Sequence, residues 1–154
     1  MAMGVLVSSE REAYGQAFGS FIKLCRATWT VTARVAACLP GNITFAQFAV
    51  LEALHSLGPM YQRNLSQRIL RSSASVTAVV DGLERRGLVS RTRSCEDRRL
   101  VEVGLTAEGD EFMKEVLPVY MSKVREEFSV LSRDEQEELG RLCRTLGRKS
   151  EERT

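Results

Sequence analysis

A chain of 154 residues, 44% hydrophobic and 27% charged, has the composition of one globular domain and is long enough to bury a core of its own. No apolar run reaches bilayer length, and Met1 to Val7 lacks the basic leader and long hydrophobic stretch of a signal peptide, so the expectation is a cytoplasmic protein with no membrane partner. The net charge of +2 excludes no class of partner until it is divided along the chain.

Residues 1 to 9 read as a loosely docked arm. A long helix is then expected from Glu10 to Leu39: Phe18, Phe21, Ile22, Cys25 and Trp29 keep helical spacing, Ala33, Ala36 and Ala37 continue the stripe, and Pro40-Gly41-Asn42 ends it. Thr44-Phe45-Ala46-Gln47 is a capping box that opens a second helix, with Phe48, Leu51, Leu54 and Leu57 inward and Gly58-Pro59 as the stop. A third helix, roughly Gln62 to Leu70, turns Leu65 and Ile69 inward, and Arg71-Ser72 makes a tight turn out of it.

The next helix opens at serines 72 and 73, which can cap it, and carries Val76, Val79, Val80 and Leu83 on one stripe. Arg85 and Arg86 fill its last turn and Gly87 stops it. Two alternating runs follow, Leu88 to Arg93 and Leu100 to Leu105, around the polar turn Ser94-Cys95-Glu96-Asp97. This order reads as a winged helix-turn-helix whose wing is that turn.

Thr106-Ala107-Glu108-Gly109 begins another long helix, apolar at Phe112, Val116, Leu117, Tyr120, Val124 and Phe128, in which Pro118 is expected to make a kink. Ser132 caps a last helix with Leu139, Leu142, Cys143 and Leu146 on one side, before a charged end from Arg148 to Thr154. The expected fold is mainly α with a small β-hairpin wing, in a single domain over 1–154. Its winged helix-turn-helix spans 44–105, and the helices at 10–39 and 106–148 carry more apolar surface than a small domain needs internally, which fits a dimerisation region packed against a twofold mate.

The charge is unevenly placed. Residues 61 to 103 hold nine arginines, no lysine and five acids, a local charge of +4 against −2 for the remainder. That basic excess is the footprint of a phosphate binder, and arginine favours bidentate and groove contacts. A helix that opens with small polar residues beside an arginine-bearing hairpin suits double-stranded DNA, because hydroxyls can meet base edges while arginines hold phosphates or enter the minor groove. The candidate base readers are Ser73, Ser75, Thr77 and Ala78, and Ser73 also fits a plain N-cap. Arg91, Arg93 and Arg99 are candidate phosphate contacts. Asp97 cannot face phosphates and is expected to pair with an arginine and stabilise the wing.

Val76-Thr77, Val80-Asp81, Leu83-Glu84, Arg86-Gly87-Leu88-Val89, Asp97-Arg98-Arg99 and Leu105-Thr106 together resemble the MarR family of bacterial transcriptional regulators. Upstream, Thr44, Gln47-Phe48, Val50-Leu51, Leu54, Gly58-Pro59 and Leu65 extend the likeness over about the central 65 residues. The resemblance implies a homodimer on a pseudo-palindromic operator, and it places Arg98, at the wing tip, in the minor groove. It also implies a repressor, released by a small-molecule effector or an oxidant.

Trp29, Phe48, His55 and Tyr120 are candidates for an effector cleft, with core packing as the alternative for each. Cys25 is the candidate redox residue, since a peroxide-sensing branch of the family uses a first-helix cysteine; its place on an apolar stripe argues for an inert buried thiol. The four cysteines form no CxxC pair and no zinc spacing with the lone His55, so no metal or cofactor is expected. No catalytic motif is present, and an enzyme is not expected. Two other functions fit the same basic face: a module binding an acidic protein, and an architectural DNA binder without sequence preference.

Overall fold

The computed structural model describes residues 8–69, 73–93 and 100–148. Its elements are α1 (Ser8–Ala36), α2 (Phe45–Leu57), β1 (Met60–Tyr61), α3 (Gln62–Arg68), α4 (Ser73–Arg85), β2 (Val89–Arg93), β3 (Val101–Leu105), α5 (Ala107–Phe128) and α6 (Arg133–Arg148). The first helix thus begins two residues ahead of the expected Glu10 and ends three short of Leu39.

Local chemistry explains most of these boundaries. Thr44 caps α2 through the expected reciprocal pair, its Oγ1 accepting from the Gln47 N–H at 3.2 Å while Gln47 Oε1 accepts from the Thr44 N–H at 3.0 Å. Ser132 and Glu135 repeat the arrangement at the start of α6. The end of α4 is a Schellman turn. Gly87 adopts φ +72°, its N–H donates to Glu84 O at 2.9 Å, and the Leu88 N–H donates to Leu83 O at 3.1 Å. Helix α5 runs unbroken through Pro118, whose side chain is exposed.

The sheet is antiparallel in the order β1-β3-β2. β2 and β3 pair as a hairpin from Val89↔Leu105 to Arg93↔Val101, and β1 adds Met60↔Val103 and Tyr61↔Glu102 on the other side. Strand β1 has no counterpart in the expectations from sequence. Two residues show no alternation, and only the free edge of β3 makes them a strand.

The buried core lies in the middle of the chain. Leu51, Leu65, Val76, Val80, Leu83, Val103 and Met113 are fully enclosed, with Phe48 and Val116 around them. The expected inward face of α4 is therefore observed. Leu57 is a correction: it is exposed, because α2 stops there and Gly58 turns the chain away. Met113 is the deepest residue of α5, one position beyond the expected Phe112.

The interface of α5 with the hairpin is close. The Thr106 N–H donates to Leu88 O, its Oγ1 donates to Gly87 O at 2.6 Å, and a Cβ at Gly109 would lie 2.0 Å from Leu88 O. Only glycine allows this helix start to approach the strand so closely. Among the described residues no helix is long and apolar enough to cross a membrane.

Candidate nucleic-acid interface

Burying Val76, Val80 and Leu83 forces the opposite side of α4 outward, since these positions repeat at helical spacing. Ser75, Thr77 and Ala78 are exposed there, as are Asp81, Glu84 and Arg85 further along. Ser73 is the first residue of α4; its side chain lies outside the described residues. Arg98, Arg99 and Asp97 also lie outside them, as do Cys95 and the Arg71-Ser72 turn.

The arginines of this region differ in their surroundings. Arg93 is exposed at the end of β2. Arg91, on the same face of the strand, is only 21% exposed at its side chain and is held from several sides. Its Nη2 lies 2.6 Å from Asp81 Oδ1 and its Nη1 2.6 Å from Glu84 Oε2, while its Nε donates to Gln62 Oε1 at 3.2 Å. Gln62 in turn donates from Nε2 to Thr77 Oγ1 at 2.8 Å. Arg86 donates from Nη2 to Gly41 O at 2.6 Å, tying the end of α4 to the loop between α1 and α2. Arg85 donates to Asp81 O of its own helix, and Arg63 lies over the Tyr61 ring, 5.6 Å from its centroid. Arg68, with Asn64 and Gln67, lines a shallow polar hollow on the exposed side of α3.

Gln62 was not singled out in the sequence, although a signal was there. Asp81 and Glu84 share the stripe of Thr77, so two acids sit on the helix expected to enter the major groove. Such a pair calls for a cation from a neighbouring element.

The four candidate effector residues do not meet in one place. The ring centroids of Phe48 and Tyr120 are 4.0 Å apart, and Phe48 belongs to the core. His55 Nδ1 lies 3.3 Å from Asp110 Oδ1, which joins α2 to α5. A hydrogen bond from Lys114 is the largest cause holding the Asp110 carboxyl below its ordinary range. Trp29 is 81% exposed. An apolar hollow of about 500 Å³ opens between α1, α5 and α6, and of the four only Tyr120 lines it. Burial, and then the nearby Cys38 and Glu52, push the Tyr120 hydroxyl above its ordinary value. Cys25, expected on a packed stripe, is exposed.

Residues 43–101 match the model of the MarR family. The Bacillus subtilis transcriptional regulator YkoM is 38% identical over 101 residues, 66% of each chain. The MhqR regulator of the same species is 34% identical over 66% of this chain and 70% of its own. Among solved structures, Bordetella bronchiseptica BpsR, whose DNA binding is regulated by 6-hydroxynicotinic acid, superposes with a TM-score of 0.77 and 27% identity, over 84% of this chain and 98% of that one. A mutant of E. coli MarR complexed with operator DNA gives 0.71 and 26%, over 84% and 96%. With its three-stranded wing sheet and its helix-turn-helix at the matched positions, the chain belongs to the MarR family of winged helix-turn-helix transcriptional regulators.

Proposed function

We propose that this chain is a sequence-specific repressor that binds a pseudo-palindromic operator as a homodimer and leaves it on a small-molecule or oxidant signal. The observation that carries the reading is the exposed polar face of α4 beside the basic strand β2. Ser73, Ser75, Thr77 and Ala78 face the bases, Arg93 and Arg99 hold phosphates, and Arg98 reaches the minor groove from the wing, where Asp97 fixes the loop. Its likeness to bacterial transcriptional regulators supports a cytoplasmic site of action.

The dimer is supported by the terminal helices. Tyr14, Phe18, Phe21 and Trp29 of α1 are exposed, and so are Leu139, Leu142 and Leu146 of α6. A second copy docked along α1, α5 and α6 would cover these side chains and set two recognition helices about 34 Å apart, one DNA turn. The signal would act on that spacing. The BpsR and MarR–operator structures support an effector and DNA as partners by likeness. Labelling Cys25 with a thiol reagent under native conditions decides the oxidant branch, which fails if the thiol does not react.

The experiment is a gel-shift titration on the DNA upstream of this protein's own gene, with an unrelated duplex as competitor and Arg98→Ala alongside. Preference for the upstream DNA, weakened by the substitution, is the expected result. Equal binding to both duplexes would favour an architectural role. No binding at low salt, with the dimer verified, would favour an acidic protein partner.

A further inference from the structure

Arg91 stands where three parts of the DNA-binding region meet. Its own strand β2 forms the wing, Gln62 opens α3, and Thr77, Asp81 and Glu84 recur at helical spacing on α4. The guanidinium uses both of its edges. Nη1 takes Glu84 and Nη2 takes Asp81, each at 2.6 Å, with Nη2 also donating to Thr77 O at 3.4 Å, while Nε is satisfied by Gln62. Gln62 closes the ring by donating to Thr77 Oγ1. One cation thus faces two carboxylates, and its charge is more than neutralised where it sits. A phosphate contact from Arg91 would require it to leave both acids on the helix that approaches the DNA.

We propose that Arg91 is a positioning residue, the strut that holds the recognition helix, the wing strand and the start of α3 at one fixed geometry. This rests on the operator-binding reading above. The recognition helix and the wing contact one duplex at two places, so affinity depends on the angle between them. A strut shared by both elements sets that angle before DNA arrives, which lowers the ordering cost of binding. The planar fork suits the task, because two carboxylates on successive helical turns each receive their own N–H edge; a lysine ammonium has no such fork.

The two roles predict opposite results. Operator affinity is measured across a salt series for the wild type, Arg91→Gln, Arg91→Lys, Asp81→Asn and Arg93→Gln. Removing a phosphate-binding charge, as in Arg93→Gln, lowers the log–log salt slope by about 0.9. For Arg91→Gln the strut predicts an affinity loss of about tenfold with the slope of the wild type, and Arg91→Lys fails to restore the affinity. Asp81→Asn is the sharpest arm. Removing an acid from the DNA-facing helix tightens binding if only charge matters, whereas loss of the strut weakens it.

Hydrogen exchange of the DNA-free protein supplies a readout that needs no operator. Arg91→Gln and Asp81→Asn should both speed exchange in β2 and along α4. A reduced slope in Arg91→Gln, tighter binding by Asp81→Asn, or unchanged exchange in both variants would overturn the proposal. If the wild type shows no operator preference, the repressor reading fails by itself, and the exchange result still decides the strut.

Discussion

The middle of the chain and its ends use apolar residues in different ways. Between Ile43 and Val116, three helices, the sheet and the start of α5 enclose leucines and valines completely. In α1 and α6 the side chains of the apolar stripes stay largely in water, with Trp29 and Leu146 at 81% and 62% exposure. The periodicity of the two sets looks alike in the sequence. The middle module closes its core within this chain, whereas the terminal helices leave large apolar side chains uncovered. Covering one large apolar side chain stabilises by about 1.5–3 kcal/mol, so a surface of this kind favours association once a complementary face is near. Perturbations of the module should therefore act on folding, and perturbations of the ends on self-association.

The largest effect is expected at Gly109. A Cβ there meets the Leu88 backbone, which cannot give way as a side chain would, so Gly109→Ala should cost about 3 kcal/mol or prevent folding, as read by urea denaturation. Next, Leu139→Asp with Leu142→Asp places two charges on the uncovered face of α6. Sedimentation should show the proposed dimer dissociating at concentrations about a hundredfold higher than for the wild type, with the module's helicity intact. Should those variants unfold the module instead, the contrast between middle and ends is wrong.

The smallest effect concerns acid. Hydrogen bonds from the Ser132 backbone N–H, and then from its hydroxyl, hold the Glu135 carboxyl below the ordinary value of 4.5. A depressed folded-state value means that this capping contribution is present above pH 4.5 and is lost as the pH falls through the lower folded value. Circular dichroism should show α6 fraying over that acid range. In Ser132→Ala the fraying should already be present at neutral pH, while α2, capped by Thr44 and the uncharged Gln47, keeps its helicity at both pH values.

Much of this protein was legible because its signals are local. The Thr44 and Ser132 boxes, the Gly58 and Gly87 stops, the Val76-Val80-Leu83 stripe and the two hairpin runs each depend on residues within a turn or two of each other. The candidate site was legible in part: the exposure of Ser75, Thr77 and Ala78 follows from the stripe behind them. The occupation of Arg91 was not, since its partners lie on two other elements and alternation alone makes Arg91 and Arg93 equivalent.

By itself, then, the sequence determined the order of helices and strands, their caps and stops, the basic centre and the family resemblance, all of which are short-range or compositional properties. Tertiary structure alone decided that Met60 and Tyr61 form a strand, that Arg86 holds the Gly41 carbonyl, that Phe48 stacks on Tyr120 and that Arg91 faces two acids. It also decided which apolar stripes find cover within the chain. The physical reason is range: a cap is satisfied by the next turn, whereas a charge or an apolar face is satisfied by whatever the folded chain brings beside it.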